Sequence, residues 1–380
     1  MAPAAVEVLY GKTLPLSASK LDCFAGCRYA FFLQYGLRAL PWKQAEFDAP
    51  LFGSFVHDVL EHVVREAQAQ GGFAALTDAQ VAALTERCMD ACMQTYLPQG
   101  DARASREGYL STRNRQEAVA VVLDVARELR LSQFTPAAEE LTFAPGGQMP
   151  PIVYHASRGD GLLTGKIDRV DTYEKDGTTY FRIVDYKTGR KDFSYTDLLY
   201  GKDLQMLLYL FALQENQKKA GHPMQPAGAL YVPGRCDMIR LEPGEDVGEA
   251  YAERRKQLSR KGLVLQDEAV LQAMEHYDGE PQYLPVQLKK DGLTGDLATP
   301  AQLAALERFV TGQVAAMIDE ILSGKTQPNP VDRGPADSAC RWCDYSSACH
   351  KDVCAVSPRR FAAVKADEFW QEIERRQRHG

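Results

Sequence analysis

The chain has 380 residues, 45% of them hydrophobic and 25% charged, with a net charge of −7; such a chain buries a substantial core in one large domain or a few smaller ones. No run approaches the roughly 18 consecutive apolar residues of a membrane span, and Met1-Ala2-Pro3-Ala4-Ala5-Val6-Glu7 lacks the basic start and apolar stretch of a secretory signal, so the expected address is the cytoplasm, with no membrane partner. The acidic balance excludes a protein that coats nucleic acid indiscriminately, because that mode depends on many Lys and Arg neutralising phosphates, yet it leaves room for an enzyme with a local basic groove.

Ser17 and Ser19 precede Leu21-Asp22-Cys23-Phe24, an N-cap signal for a short helix that Gly26 ends just before Cys27. Phe52, Phe55, Val56, Val59, Leu60 and Val63 form a helical stripe with His57 on its flank. Further helices from about 77 to 133, broken near Gly100 and Asp101, read as a helical insertion. From about 138 the pattern changes to strands: Glu140 to Phe143, Ile152 to Tyr154, Leu162 to Tyr173 and Thr179 to Lys187, the last two joined by a hairpin turn at Asp176-Gly177. A helix is predicted from Asp197 to Glu215, a strand at Gly228 to Val232, and a long helix near 301–323 ahead of the linker Gln327-Pro328-Asn329-Pro330.

The hairpin carries the chemistry. Residues two apart on a strand share a face, so Asp185 and Lys187 project together. With the turn centred on Asp176-Gly177, cross-strand partners sum to 353, which places Asp168 opposite Asp185 with Cβ atoms about 5 Å apart. Such a like-charged pair is destabilising unless a proton or cation lies between, and Mg²⁺ and Mn²⁺ take oxygen ligands of this kind. Together with His57, which can add an imidazole nitrogen, and Lys187, which can orient a water or offset transition-state charge, these are the residue types of a metal-dependent nuclease. Gln205 and Tyr209 lie one helical turn apart, placed to hydrogen-bond a phosphate or the catalytic groups; Tyr209 reads equally as a packed aromatic with a satisfied hydroxyl. Candidates for a strand-guiding groove are Arg103, Arg106, Arg113 and Arg115, then Arg190 and Lys191 beside Lys187, then Arg254, Arg255, Lys256, Arg260 and Lys261, with solvated helix faces as the competing reading of the last group.

Nine cysteines in a chain with this address read as thiols or metal ligands rather than disulfides. Cys340, Cys343 and Cys349 follow a C-x2-C-x5-C spacing, and with Cys27 they would staple the two ends of the chain around one metal centre. Zinc is the rival, because Cys340, Cys343, Cys349 and Cys354 could form a local four-thiolate site without Cys27. Cys23, Cys88, Cys92 and Cys236 are expected to be reduced and structural, as is Cys354 if zinc is not bound.

At these residues the chain resembles the RecB-type branch of the PD-(D/E)xK nucleases, and within it the iron–sulfur nuclease domain of AddB proteins. The segments are Ser17 to Leu21 leading to Cys27-Arg28-Tyr29-Ala30-Phe31-Phe32, Gly53 to His57, Gly165-Lys166-Ile167-Asp168-Arg169, Asp185-Tyr186-Lys187-Thr188-Gly189, Gln205 with Tyr209, and Cys340 to Cys349. The resemblance implies an α/β fold with a restriction-endonuclease-like core, a mixed sheet flanked by helices. It implies segments 1–45 with the first cluster cysteine, 46–136 with His57 and the insertion, 137–325 as the nuclease core and 326–380 as the iron–sulfur segment, all parts of one composite domain. It further implies His57, Asp168, Asp185 and the Tyr186 carbonyl as ligands of Mg²⁺ or Mn²⁺, Lys187 as catalytic, and a [4Fe–4S] cluster on Cys27, Cys340, Cys343 and Cys349. The activity it implies is cutting of single-stranded DNA, the 5′-ended strand, in recombinational repair beside an AddA-like helicase–nuclease partner.

Arg28 departs from that pattern, since a proline often follows the first cluster cysteine. No G-x-x-x-x-G-K-[ST] phosphate loop is present, so ATP hydrolysis is not expected. The chain is expected to be either the C-terminal part of a larger protein or a stand-alone relative of CRISPR-associated iron–sulfur exonucleases. The reading from a different class is a non-catalytic DNA-binding scaffold that keeps the fold.

Overall fold

The computed structural model describes residues 1–40, 49–96, 106–236, 239, 247–290, 292–334, 337–350 and 356–379. The chain opens with α1 (Pro3–Tyr10), β1 (Thr13–Leu16), α2 (Ala18–Gly26), α3 (Arg28–Phe31), α4 (Ala49–Ala69), α5 (Asp78–Tyr96) and α6 (Arg106–Leu131). Next come β2 (Thr135–Phe143), β3 (Ile152–Ala156), β4 (Gly159–Leu163), β5 (Gly165–Lys175), β6 (Thr178–Lys187), α7 (Tyr195–Leu199), α8 (Gln205–Lys219), β7 (Gln225–Pro233), α9 (Val247–Gln257), β8 (Lys261–Leu265) and α10 (Glu268–Met274). The last part holds β9 (Val286–Lys289), β10 (Gly292–Gly295), β11 (Leu297–Ala298), α11 (Pro300–Leu322), β12 (Val331–Asp332), α12 (Ser346–Cys349), β13 (Arg359–Arg360) and α13 (Ala366–His379). Ser17 caps α2 by accepting the Lys20 N–H at 3.3 Å, and the helix stops at Cys27, as the serine and glycine signals predict.

The main sheet has six strands in the order β11-β8-β7-β6-β5-β2. It is mixed: β6 runs parallel to β7 through the α7–α8 crossover, and β5 is antiparallel to both β2 and β6. Asp176 and Gly177 both adopt positive φ, 50° and 74°, the conformation of the tight hairpin turn that their sequence predicts. Side chains on β6 alternate between two cores. Phe181 and Ile183 join the cluster built with α2, α8, α11 and α13, while Val184 and Tyr186 join the cluster built with α4, α5 and α6. The strand is therefore covered on both faces, as suits the middle of a mixed sheet.

Two predicted elements are each split. The strand expected from Leu162 to Tyr173 is two strands in different sheets, because β4 pairs in parallel with β1 and antiparallel with β3, while β5 enters the main sheet. At the switch the Thr164 N–H and hydroxyl both donate to the Leu16 carbonyl, at 3.0 and 3.2 Å. Hydrophobic alternation continues through such a switch, so periodicity cannot reveal it. The helix expected from Asp197 to Glu215 is α7 and α8, separated at Gly201 (φ 79°) and Asp203 (φ 55°). The Asp203 N–H donates to Asp22 Oδ1 at 2.6 Å, a tertiary bond that fixes the break.

The α6 face of the sheet carries a closed network of buried charges. Arg169 Nε meets Asp171 at 2.7 Å, Arg182 Nε meets Asp171 at 2.8 Å and Arg182 Nη2 meets Glu128 at 3.1 Å. Arg260 Nη2 reaches Glu128 at 2.6 Å, and Arg260 and Arg255 both pair with Asp124. Arg260 and Arg255 therefore tie β8 and α9 to α6 rather than line a nucleic-acid groove, which corrects the sequence expectation for both. Burial raises the Glu128 carboxyl, but the guanidinium groups of Arg260, Arg182 and Arg169 outweigh it and hold it at about 2. A depressed carboxylate contributes stability that is present above its unfolded pKa, about 4.3, and is lost as pH falls through the folded value. Glu128→Gln is thus predicted to lose about 3 kcal/mol at neutral pH, because it leaves buried guanidinium charge uncompensated. In urea melts the gap from the parent narrows as pH falls from about 4.3 towards 2.

Candidate functional site

The β5–β6 ladder keeps the register expected from the turn, with Arg169 opposite Val184, Val170 opposite Ile183 and Asp171 opposite Arg182. Its extension places Asp168 beside Asp185. There the ladder gives way to a side-chain bond, as the Tyr186 N–H donates to Asp168 Oδ2 at 2.8 Å. Both carboxylates are buried, Asp168 at 7% and Asp185 at 4% exposure.

His57 projects from α4 so that Nδ1 lies 3.3 Å from Asp168 Oδ2, and its ring also faces the Tyr186 carbonyl. Burial lowers its pKa, but the hydrogen bond and charge of Asp168, the charge of Asp185 and that carbonyl together raise it. Burial and the neighbouring Asp168 charge push the Asp185 carboxyl up, against Lys187 and His57. Lys187 Nζ stands 2.6 Å from Asp185 Oδ2, an oxygen that is buried and accepts no well-aligned hydrogen bond. Gln205, at the start of α8, links the pair: its amide donates to Asp185 Oδ1 at 2.8 Å and accepts from Lys187 Nζ at 3.2 Å.

The structure thus brings His57, Asp168, Asp185, the Tyr186 carbonyl, Lys187 and Gln205 together. Tyr209 lies apart, buried under β5, stacked on Phe143 with ring centres 6.2 Å apart and with its hydroxyl facing the Lys166 backbone. That is the packed-aromatic alternative, and it supports the strand that carries Asp168 rather than touching the charged row. The donor set, one imidazole nitrogen with carboxylate and carbonyl oxygens, fits Mg²⁺ or Mn²⁺. One residue escaped sequence reading. Glu140 on β2 has a carboxylate oxygen within 4.8 Å of the ligand atoms of His57 and Asp168. As one glutamate in a strand it gives no signal until the β2–β5 register is known.

At the other end of the molecule Cys27, Cys340, Cys343 and Cys349 line one small cavity with Ala30, Pro328, Pro330 and Val356. Four thiols around an otherwise apolar pocket fit a thiolate-bound cluster. Cys23 is beside them but donates its thiol to Gln34 Oε1 at 3.5 Å, while Cys354 lies outside the described residues. Cys88, Cys92 and Cys236 are buried in the α4–α6 core. Arg28, in the place of the usual proline, donates its backbone N–H to Asn329 Oδ1 at 3.1 Å and makes a two-pronged pair with Glu320 at 3.2 and 2.8 Å.

A groove of about 550 Å³ runs from Lys187 past Arg190, Lys191, Arg235, Lys256 and Lys261, with Asp192 and Glu253 as its acids. Of the arginines expected to guide a strand, Arg115 pairs with Asp90, Arg254 is exposed, and Arg103 falls outside the described residues, as do the side chains of Arg106 and Arg113. Tyr209 packs so tightly on β5 that a Cβ at Gly165 would lie 2.4 Å from its ring. Gly165→Ala is predicted to lose about 2 to 3 kcal/mol by overpacking, whereas Tyr209→Phe loses about 1 kcal/mol or less. Thermal melts of the two variants check this ordering.

A family model described as the PD-(D/E)XK nuclease superfamily matches residues 15–350. Among curated proteins, an ATP-dependent helicase/deoxyribonuclease component of the AddB type from Caldanaerobacter subterraneus subsp. tengcongensis is 32% identical over 359 residues, covering 91% of this chain and 30% of that protein. The proteins of the same name from Clostridium kluyveri and Moorella thermoacetica are each 32% identical, covering 97% of this chain and 33% of theirs. The chain spans about a third of the length of these curated relatives. With most of its length matched by the family model, and with the charged row in place on adjacent strands, the chain belongs to the PD-(D/E)XK nuclease superfamily.

Proposed function

We propose that the chain is a divalent-metal-dependent deoxyribonuclease that cuts single-stranded DNA from the 5′-ended strand. It would act as the nuclease part of an AddB-like protein in cytoplasmic recombinational repair, beside an AddA-like helicase–nuclease. The observation that carries this reading is the convergence of His57, Asp168, Asp185 and the Tyr186 carbonyl on one point, with Lys187 Nζ 2.6 Å from Asp185. The names of the relatives couple a helicase to a deoxyribonuclease, and unwinding supplies single strands.

A bound Mg²⁺ or Mn²⁺ supplies Lewis-acid polarisation of the phosphate and a more acidic water. His57, Asp168, Asp185 and the Tyr186 carbonyl hold the ion. The Tyr186 N–H fixes the Asp168 carboxylate from the side. Gln205 holds Asp185 and Lys187 in register, leaving the Lys187 ammonium to orient the attacking water and offset charge on the phosphate. The basic groove beside Lys187 receives the flanking phosphates.

A [4Fe–4S] cluster on Cys27, Cys340, Cys343 and Cys349 completes the reading. The presence of Cys27 in the same cavity as the other three favours it over a local zinc site that omits Cys27.

Digestion of 5′- and 3′-end-labelled single-stranded DNA by anaerobically purified protein tests the proposal. Cutting is expected with Mg²⁺ or Mn²⁺, none in EDTA, and a loss of about a thousandfold or more in Asp185→Ala. Iron in the active preparation, with absorbance near about 400 nm, is expected for the cluster. Metal-independent cutting, or full activity of the variant, would overturn the assignment.

A further inference from the structure

We propose that Glu140 is an additional ligand of the same divalent ion, and that Lys166 competes with the ion for its carboxylate. This rests on the metal-dependent reading above and adds a residue to it. Residue numbers of β2–β5 partners sum to 308 around the site (Glu139 opposite Arg169, Leu141 opposite Ile167), and those of β5–β6 partners sum to 353. The two registers together set Glu140, Asp168 and Asp185 in one row across three neighbouring strands.

Glu140 breaks the regular strand at that row, with φ at 53°, a left-handed conformation that disfavours an L residue with a side chain. Strain of this kind persists where the surroundings hold it, and it gathers at functional sites. Here it turns a carboxylate of only 15% side-chain exposure towards His57 and Asp168, all three offering ligand atoms within 4.8 Å of one another. Its salt-bridge partner is Lys166, which is 49% exposed. A lysine on a flexible stem can move its ammonium into solvent, whereas Glu140 is held by its backbone. Counting formal charges with His57 neutral, three carboxylates face two ammonium groups, and once Lys166 swings away the excess of oxygen donors suits a hard dication.

The test is a titration of Mn²⁺ into the whole, anaerobically purified chain, following free Mn²⁺ by electron paramagnetic resonance. Parent protein, Glu140→Gln, Asp168→Asn, Lys166→Met and the Lys166→Met/Glu140→Gln double variant are compared, each with a melting curve. Glu140→Gln is expected to weaken Mn²⁺ binding about tenfold or more while remaining folded. Lys166→Met is expected to tighten it about threefold or more, an effect absent from the double variant. If Asp168→Asn loses binding while Glu140→Gln stays within about twofold of the parent, Glu140 is not a ligand and the metal site stands without it. Tightening by Lys166→Met that persists in the double variant contradicts competition for Glu140. Should Glu140→Gln fail to fold, Lys166→Met decides alone, and unchanged affinity there overturns the proposal. A parent that binds no Mn²⁺ removes both the metal-dependent reading and this inference.

Discussion

Two carboxylates placed side by side in a buried sheet repel each other, and this protein is organised around that unfavourable pair. Asp168 and Asp185 face the α8 side of the β5–β6 hairpin, where burial and mutual repulsion push the Asp185 carboxyl up. Charges on the opposite face of the same strands are treated differently. Arg169, Asp171, Arg182 and Glu128 pair with one another and with Arg260 in a closed, buried network. One face therefore holds charges that satisfy themselves, and the other concentrates negative charge that only partial neutralisation by Lys187 and Lys166 relieves. The closed network keeps the strands rigid, and rigid strands let the unfavourable row persist as a preorganised site.

The supports around the row are specific. Gln205 bonds both members of the Asp185–Lys187 pair, and the Tyr186 N–H abandons the sheet ladder to hold Asp168. Tyr209 fills the space that Gly165 leaves open. At the far end, Arg28 bonds Glu320 and Asn329, and Arg359 donates to the carbonyls of Ala25 and Asn329. These bonds already join the N-terminal and C-terminal segments, and the four cysteines close the same junction. A cluster there would stabilise contacts that protein groups have placed in register.

Much of this was legible in the amino-acid order, for identifiable reasons. Asp176-Gly177 dictates a tight turn, and a turn dictates register, so the opposition of Asp168 and Asp185 follows from local chemistry alone. The Ser17 cap and Gly26 stop likewise place Cys27 at a helix junction. What was not legible depends on distant partners. The sheet switch at Thr164 needs the Leu16 carbonyl, and the break before Gln205 needs Asp22. The burial of Arg260 needs Glu128 and Asp124 from a helix more than a hundred residues away. Glu140 combines both difficulties, since its place in the row requires a second strand pairing and its left-handed backbone has no marker in the sequence.

The central claim is that the acidic row exists to hold a divalent cation beside Lys187. Anomalous diffraction from crystals grown with Mn²⁺ tests it most directly. The account predicts a manganese peak bounded by His57, Asp168, Asp185 and the Tyr186 carbonyl, at roughly 2.0 to 2.3 Å from its ligand atoms. No peak there at saturating Mn²⁺, or a peak only at surface carboxylates elsewhere, would contradict it.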